Sequence, residues 1–265
     1  MAVKNLITNK TIIIRVLNKP INIKQLSEET GVDETICRER DSWFLHDGMW
    51  HYYKRFYNFP GGSPEEMKFI NELMGEVLSK RLDIESIHYK IADNGGFIGL
   101  LSKNFLKPNQ QYFFMKDLKL MSQFYDTSNL EKIRKLCKDD ENYKELLSEI
   151  FKLVAIDLYM NQEDRNFTNM QFTRKDGELH LAPLYDFEDS CREPFTPEYS
   201  SAFLGMQVEE ADKYPLLGEY LNKLYSTKIG TVLEQIEDER KLLIPTPIKE
   251  KYEAYEEDRR MMLKR

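Results

Sequence analysis

Apolar and polar positions along this chain follow two rhythms, and the change from one to the other divides it. The first third carries short runs rich in β-branched and aromatic residues. Thr11-Ile12-Ile13-Ile14-Arg15-Val16-Leu17 predicts a strand, and the segment from Ile23 to Val32 predicts a short helix closing at Gly31. Ser42–Leu45 and Met49–Phe56 predict an aromatic hairpin turned at His46-Asp47-Gly48. After Phe59-Pro60-Gly61-Gly62, Ser63-Pro64-Glu65-Glu66 has the form of a helix start: serine at the cap, proline in the first turn, acids beside the helix dipole. Met67, Ile70, Leu73, Met74, Val77 and Leu78 then recur at the helical period as far as Lys80-Arg81. A second hairpin, His88–Ala92 and Phe97–Leu101, turns at Asp93-Asn94-Gly95-Gly96.

From about residue 106 the helical period takes over. It predicts helices over Met115–Tyr125, Leu130–Cys137, Asn142–Met160, Glu209–Tyr225, Ile229–Leu243 and Ile248–Leu263, the last a charged amphipathic surface helix. Between the third and fourth of these lies a polar interruption, Asn161–Asn169, followed by a hairpin, Met170–Phe172 and Glu178–Leu184, turned at Lys175-Asp176-Gly177. The expected fold class is therefore α+β in two lobes: a small β-rich lobe with one helix over residues 1–105, and a larger helical lobe with an embedded hairpin over residues 106–265.

Composition narrows the function classes. With 38 Lys+Arg against 45 Asp+Glu the net charge is −7, which disfavours a general nucleic-acid binder, since counterion release needs a basic field. The stretch from Leu26 to Val32 has the spacing of a helix-turn-helix. Its second helix would begin at Asp33-Glu34 and bring acid to phosphate, so DNA binding is not expected. No apolar run approaches the ~20 residues of a membrane span, and the N-terminus lacks a signal-type apolar region. Cys37, Cys137 and Cys191 are odd in number and far apart, which fits neither a disulfide framework nor a zinc site, so a cytoplasmic location is expected.

The chemistry concentrates in the polar interruption and the segment after its hairpin. Asp164 is followed five residues later by Asn169, and past the hairpin comes Leu184-Tyr185-Asp186-Phe187-Glu188. An amide and a carboxylate placed this way, Asn169 and Asp186, suit Mg²⁺ held against phosphate oxygens. Asp164 is then left to orient an attacking hydroxyl and accept its proton. Lys54 on the aromatic strand is placed to grip phosphates, with Glu72 on the next helix as its partner; Glu65, Glu66 and Glu76 compete for that place. Strand lysine, helix glutamate, hairpin, D-x-x-x-x-N, hairpin and D-F is the element order of a protein kinase.

The stretch from Asp157 to Asn169 resembles the catalytic loop of HipA-like kinases, D-x-x-x-x-N-x-D-R-H-x-x-N. Leu181-Ala182-Pro183-Leu184-Tyr185-Asp186 with Ser190 resembles that family's L-A-P-L-Y-D-x-x-x-S, and Gly99–Leu106 is similar to its strand and hinge. The resemblance spans residues 50–190. It implies a two-lobed protein-kinase-like fold and ATP- and Mg²⁺-dependent phosphorylation of a serine or threonine hydroxyl on a protein partner. On that resemblance Asp164 is the catalytic acid–base residue and Asn169 and Asp186 are metal ligands. Lys54 contacts ATP phosphate, Glu72 pairs with it, and Leu101, Ser102, Lys103 and Phe105 present hinge backbone to adenine. The sequence departs from the family at Asn166, where the pattern has His, and at Glu188, where protein kinases have Gly. No glycine-rich loop precedes Lys54, since Gly31 and Gly48 are isolated. Two alternatives stay open: a catalytically weak nucleotide-binding regulator, and a kinase acting on a small molecule or lipid.

Overall fold

The computed structural model describes residues 15–16, 21–22, 41–46, 49–56, 65–94, 97–105, 110–115, 117–120, 128–162, 164–165, 169–191 and 214–263. The expected helix at residues 23–32, the segment proposed against DNA binding, the cap at Ser63-Pro64, Cys37 and Asn166 lie outside them.

Strands β1 (Arg15–Val16), β2 (Ile21–Asn22), β3 (Asp41–His46) and β4 (Met49–Arg55) precede helix α1 (Glu65–Leu82). Strands β5 (Tyr89–Asn94) and β6 (Phe97–Lys103) follow it. Five of these make one sheet in the order β2-β5-β6-β4-β3, antiparallel except for β2 beside β5. Both expected hairpins are present, and β6 joins them by pairing with β4, Leu100 opposite Lys54. That pairing needs a glycine: a Cβ on Gly99 would stand 2.3 Å from the Lys54 carbonyl oxygen and 2.6 Å from the Tyr53 ring.

The helical part comprises α2 (Ser128–Leu136), α3 (Asp140–Met160), α4 (Pro215–Tyr225), α5 (Ile229–Arg240) and α6 (Thr246–Leu263). The Asp139 side chain caps α3 by accepting from the Asn142 N–H, 2.9 Å away. Asn161 ends the helix in the left-handed conformation, φ 50°, which asparagine tolerates better than most residues. The last three turns of α3 are almost wholly buried, so it forms the spine on which α1, α4 and the second sheet pack. Among the described residues, no helix is long and apolar enough to cross a membrane.

Three expectations are corrected. Of the helix expected over Met115–Tyr125, residues 121–125 lie outside the described residues, and the described residues 115 and 117–120 form turns: Leu118 and Leu120 turn back onto the carbonyls of Phe114 and Met115, and Asp117 caps the Phe114 N–H. Lys119 at φ 56° then leaves helical space. Before this turn, Gln111–Phe114 forms strand β7, which pairs with β8 (Gln171–Lys175), itself paired with β9 (Glu178–Leu181). The fifth predicted helix stops at Arg240, since Lys241 is left-handed; Leu242-Leu243 instead make β10, antiparallel to β1. The last helix is more than a surface helix. Tyr252, Tyr255, Glu256 and Arg259 are buried, while Met261 is exposed.

Candidate active site

Helix α1 presents Glu72 to β4, and the two elements lie close enough that Lys54 Nζ sits 2.7 Å from Glu72 Oε1. Glu76, one turn away, points elsewhere: it pairs with Arg240 of α5 and accepts from His88 at 2.7 Å. Both lie on one helix face, so it is position along the axis, one turn apart, that selects Glu72 over Glu76. The second oxygen of Glu72 accepts the Tyr89 hydroxyl at 3.1 Å, which pins the carboxylate in place.

The segment after the β8–β9 hairpin brings two more acids to the same ammonium. Asp186 Oδ1 is 2.6 Å and Glu188 Oε2 3.1 Å from Lys54 Nζ. Burial works against the charge on Lys54, but the attraction of Glu72, then Asp186 and Glu188, outweighs it and holds the ammonium well above the usual lysine range. Burial raises the Tyr89 hydroxyl well above its ordinary value, with the Glu72 charge adding to it, so Tyr89 donates as a neutral phenol.

Asp186 is placed by its neighbours on both sides. Phe187 is buried under Gly75, where any Cβ would stand 2.2 Å from the ring. Gln162 Nε2 donates to the Asp186 carbonyl at 2.7 Å. Asp186 itself has φ 63°, a conformation an L-residue adopts only when its surroundings impose it. The backbone of Leu184 exchanges hydrogen bonds with Glu85 and Ile87 at 2.9 Å, tying this segment to the end of α1.

Arg165 organises the loop that carries Asp164 and Asn169. Its guanidinium is buried, pairs with Asp157 of α3 at 3.0 Å, and donates to the carbonyls of Asn169 and Tyr185, each at 2.8 Å. It also lies 4.8 Å over the Phe187 ring. One side chain therefore holds the loop bearing Asp164 and Asn169 against the segment bearing Asp186. Asn169 Nδ2 donates to the Asp164 carbonyl at 2.7 Å and is 3.3 Å from its carboxylate. Asp164 is exposed, while Asn169 is buried.

The residues predicted as hinge lie at the end of β6 and just after it. Leu101 and Ser102 have register partners on both sides, Tyr53 and Lys90 for the first, Tyr52 and Tyr89 for the second. Their backbone groups serve the ladders, whereas Lys103 has a register partner on one side, His51, and the Asn104 N–H donates to the Trp50 carbonyl at 2.7 Å. Phe105 follows, stacked on Tyr185 at 6.1 Å between ring centroids.

Known proteins were compared with this chain at three levels. No protein-family model matches the sequence, and no curated protein matches it. Among solved structures, the proinflammatory kinase CtkA of Helicobacter pylori aligns with TM-score 0.57 and 13% identity over 83% of this chain and 90% of its own. A chain of the Shewanella oneidensis MR-1 toxin–antitoxin complex of HipA, HipB and operator DNA aligns with TM-score 0.54 and 13% identity, over 96% of this chain and 72% of its own. The fold is kinase-like.

The structure joins Lys54, Glu72 and Asp186 in one cluster and Asp164 with Asn169 in another, bridged by Arg165. Carboxylate atoms of Glu72, Asp186 and Glu188 lie within 4.8 Å of one another. All three touch Lys54; Asp186 and Glu188, the partly exposed pair, fit a hard cation such as Mg²⁺, whereas Glu72 is fully buried and also bound by Tyr89. Sequence reasoning gave no role to Glu188, Arg165, Asp157 or Gln162. Asp157 and Arg165 stand in the quoted loop motif, and a buried acid and arginine eight residues apart were the available signal.

Proposed function

We propose that the protein is a phosphotransferase of the HipA-like kind, moving the γ-phosphoryl group of ATP to a serine or threonine hydroxyl of a protein with Mg²⁺ as cofactor. One observation carries this reading: a strand lysine paired with a helix glutamate meets, across the fold, the acid that follows a catalytic-loop hairpin. That arrangement sits on the fold shared with two kinases. In this reading residues 1–105 form the nucleotide lobe and 106–265 the catalytic lobe, working in the cytoplasm without nucleic acid or membrane as partner.

Each residue has a distinct task. Lys54 grips phosphate, and Glu72 with Tyr89 keeps the ammonium in place. Asp186, with Asn169 beside it, would hold Mg²⁺, which supplies charge neutralisation on the phosphates. Asp164 hydrogen-bonds the substrate hydroxyl and accepts its proton. Asn169, donating to the Asp164 carbonyl, fixes the direction from which that carboxylate approaches.

A second reading, a nucleotide-binding regulator with weak transfer, is favoured by one feature: three carboxylates already surround Lys54. Incubation of the full chain with labelled ATP and Mg²⁺, alone and with a lysate, separates the two. Transfer to the chain itself or to a lysate protein, lost in Lys54→Met, is the expected result. Tight Mg²⁺-dependent ATP binding without any transfer identifies the regulator instead.

A further inference from the structure

We propose that Asn71 is a positioning residue: it holds the segment bearing Asp186 in place for cation binding, and helix α6 in turn orients its carboxamide. The proposal rests on the kinase reading above and concerns a residue to which that reading gives no task. Lys68, Asn71, Glu72 and Gly75 recur at i, i+3, i+4 and i+7 of α1, so they line one face of the helix. That face meets the segment after Asp186 residue by residue. Gly75 lies against the Phe187 ring, and the Glu72 carboxylate accepts the Phe187 N–H. Asn71 Nδ2 donates to the carbonyls of Glu188 at 3.0 Å and Ser190 at 2.6 Å, and Lys68 pairs with Asp189 at 3.3 Å.

Among these contacts Asn71 alone grips main chain at two points, and it does so around the turn at Glu188-Asp189. Its side chain is buried, 1% exposed, so water is no ready substitute for either bond. Carbonyls only accept, so the amino end of the carboxamide faces them and its oxygen faces away. There the oxygen accepts the Tyr252 hydroxyl of α6 at 2.8 Å; that hydroxyl also lies 3.2 Å from the Met67 carbonyl. Tyr252 is itself fully buried, so the last helix fixes the oxygen end while the segment fixes the amino end. Asp186 stands just before this clamp at φ 63°, a conformation that its surroundings must impose. Gln162 holds its carbonyl on one side, and the clamp begins two residues on at the other. Without the clamp the segment is free to relax at Asp186, which shifts that carboxylate relative to Asn169 while leaving both side chains intact.

Two measurements on the full chain test this: amide hydrogen exchange over residues 187–191 without ligand, and calorimetric ATP titrations at a series of Mg²⁺ concentrations. The variants are Asn71→Leu, which keeps the shape and removes the donors, and the milder Tyr252→Phe. Tyr255→Phe is the control, since it removes another buried hydroxyl of α6, one that donates to the Tyr159 carbonyl at 3.0 Å. In Asn71→Leu exchange over 187–191 should quicken, and the Mg²⁺ concentration needed to tighten ATP binding should rise roughly 10- to 100-fold, as for other residues that orient a metal ligand. Tyr252→Phe should move both readouts the same way by less, and adding it to Asn71→Leu should change neither further, because it acts through Asn71. Tyr255→Phe should lower stability and leave both readouts alone. A folded Asn71→Leu with an unchanged Mg²⁺ requirement overturns the proposal. If Asn71→Leu does not fold, unchanged readouts in Tyr252→Phe overturn it instead. A shift in Tyr255→Phe as large as in Tyr252→Phe also overturns it, by assigning the effect to general stability. Failure of the unaltered chain to bind ATP with Mg²⁺ removes the kinase reading, and exchange over 187–191 then decides by itself whether Asn71 holds the segment.

Discussion

Asp164 and Asp186 have the same side chain in different surroundings, and the proposed function gives them different tasks. Asp164 is exposed beside Asn169, whereas Asp186 is half-buried against Lys54. Asp186→Asn removes a charge that a cation needs, so Mg²⁺-dependent tightening of ATP binding should largely vanish. Asp164→Asn should keep that tightening while transfer falls by a factor on the order of 10²–10⁴. Calorimetry beside a transfer assay on both variants decides it, and equal loss of Mg²⁺-dependent binding in the two would show the roles are misassigned. Gly75 offers a test at a distance from the charges. A methyl there meets the Phe187 ring, so Gly75→Ala should displace the Phe187 segment and cost transfer. Full activity in Gly75→Ala would show that the position of Phe187 does not govern Asp186.

Helix α1 illustrates why elements are harder to read than residues. Its apolar period was visible, yet every residue from Phe69 to Ser79 is buried, including Asn71, Glu72, Glu76 and Ser79. The helix is enclosed by the sheet on one side and by α3 and α5 on others, so its polar residues are interior struts. Asn71 is one: it accepts the Tyr252 hydroxyl of α6 at 2.8 Å and donates to the Ser190 carbonyl at 2.6 Å. The terminal helix is in this way linked to the segment carrying Asp186. Tyr252→Phe strands the Asn71 oxygen and should cost about 1–3 kcal/mol of stability, read as a lower urea midpoint. A midpoint equal to that of the unaltered chain would mean the strut bears no load.

For the molecule as a whole, the ties between the sheet-bearing and helical parts run through buried charge, and that makes stability depend on pH. Glu76 on α1 is buried, where desolvation opposes its charge, but Arg240 of α5, His88 and Lys80 outweigh this and lower its carboxyl below the ordinary value of 4.5. A group whose acidity is increased by folding stabilises fully above its unfolded value and loses that contribution as pH falls through its folded one. Glu76→Gln should therefore be less stable than the unaltered chain at neutral pH, with the gap closing below pH 4.5. Unfolding curves at a series of pH values measure that gap, and a gap independent of pH would assign the effect to packing. The order of hairpins, helix and polar interruption, and the pairing of Lys54 with Glu72, were legible in the sequence alone, because turn chemistry, helical period and motif spacing are local properties. The pairing of β1 with β10, the strand at Gln111–Phe114, the burial of Arg165 on Asp157 and the arrival of Glu188 at Lys54 were decided only in three dimensions. Each joins residues brought together by packing, with partners that no local pattern names.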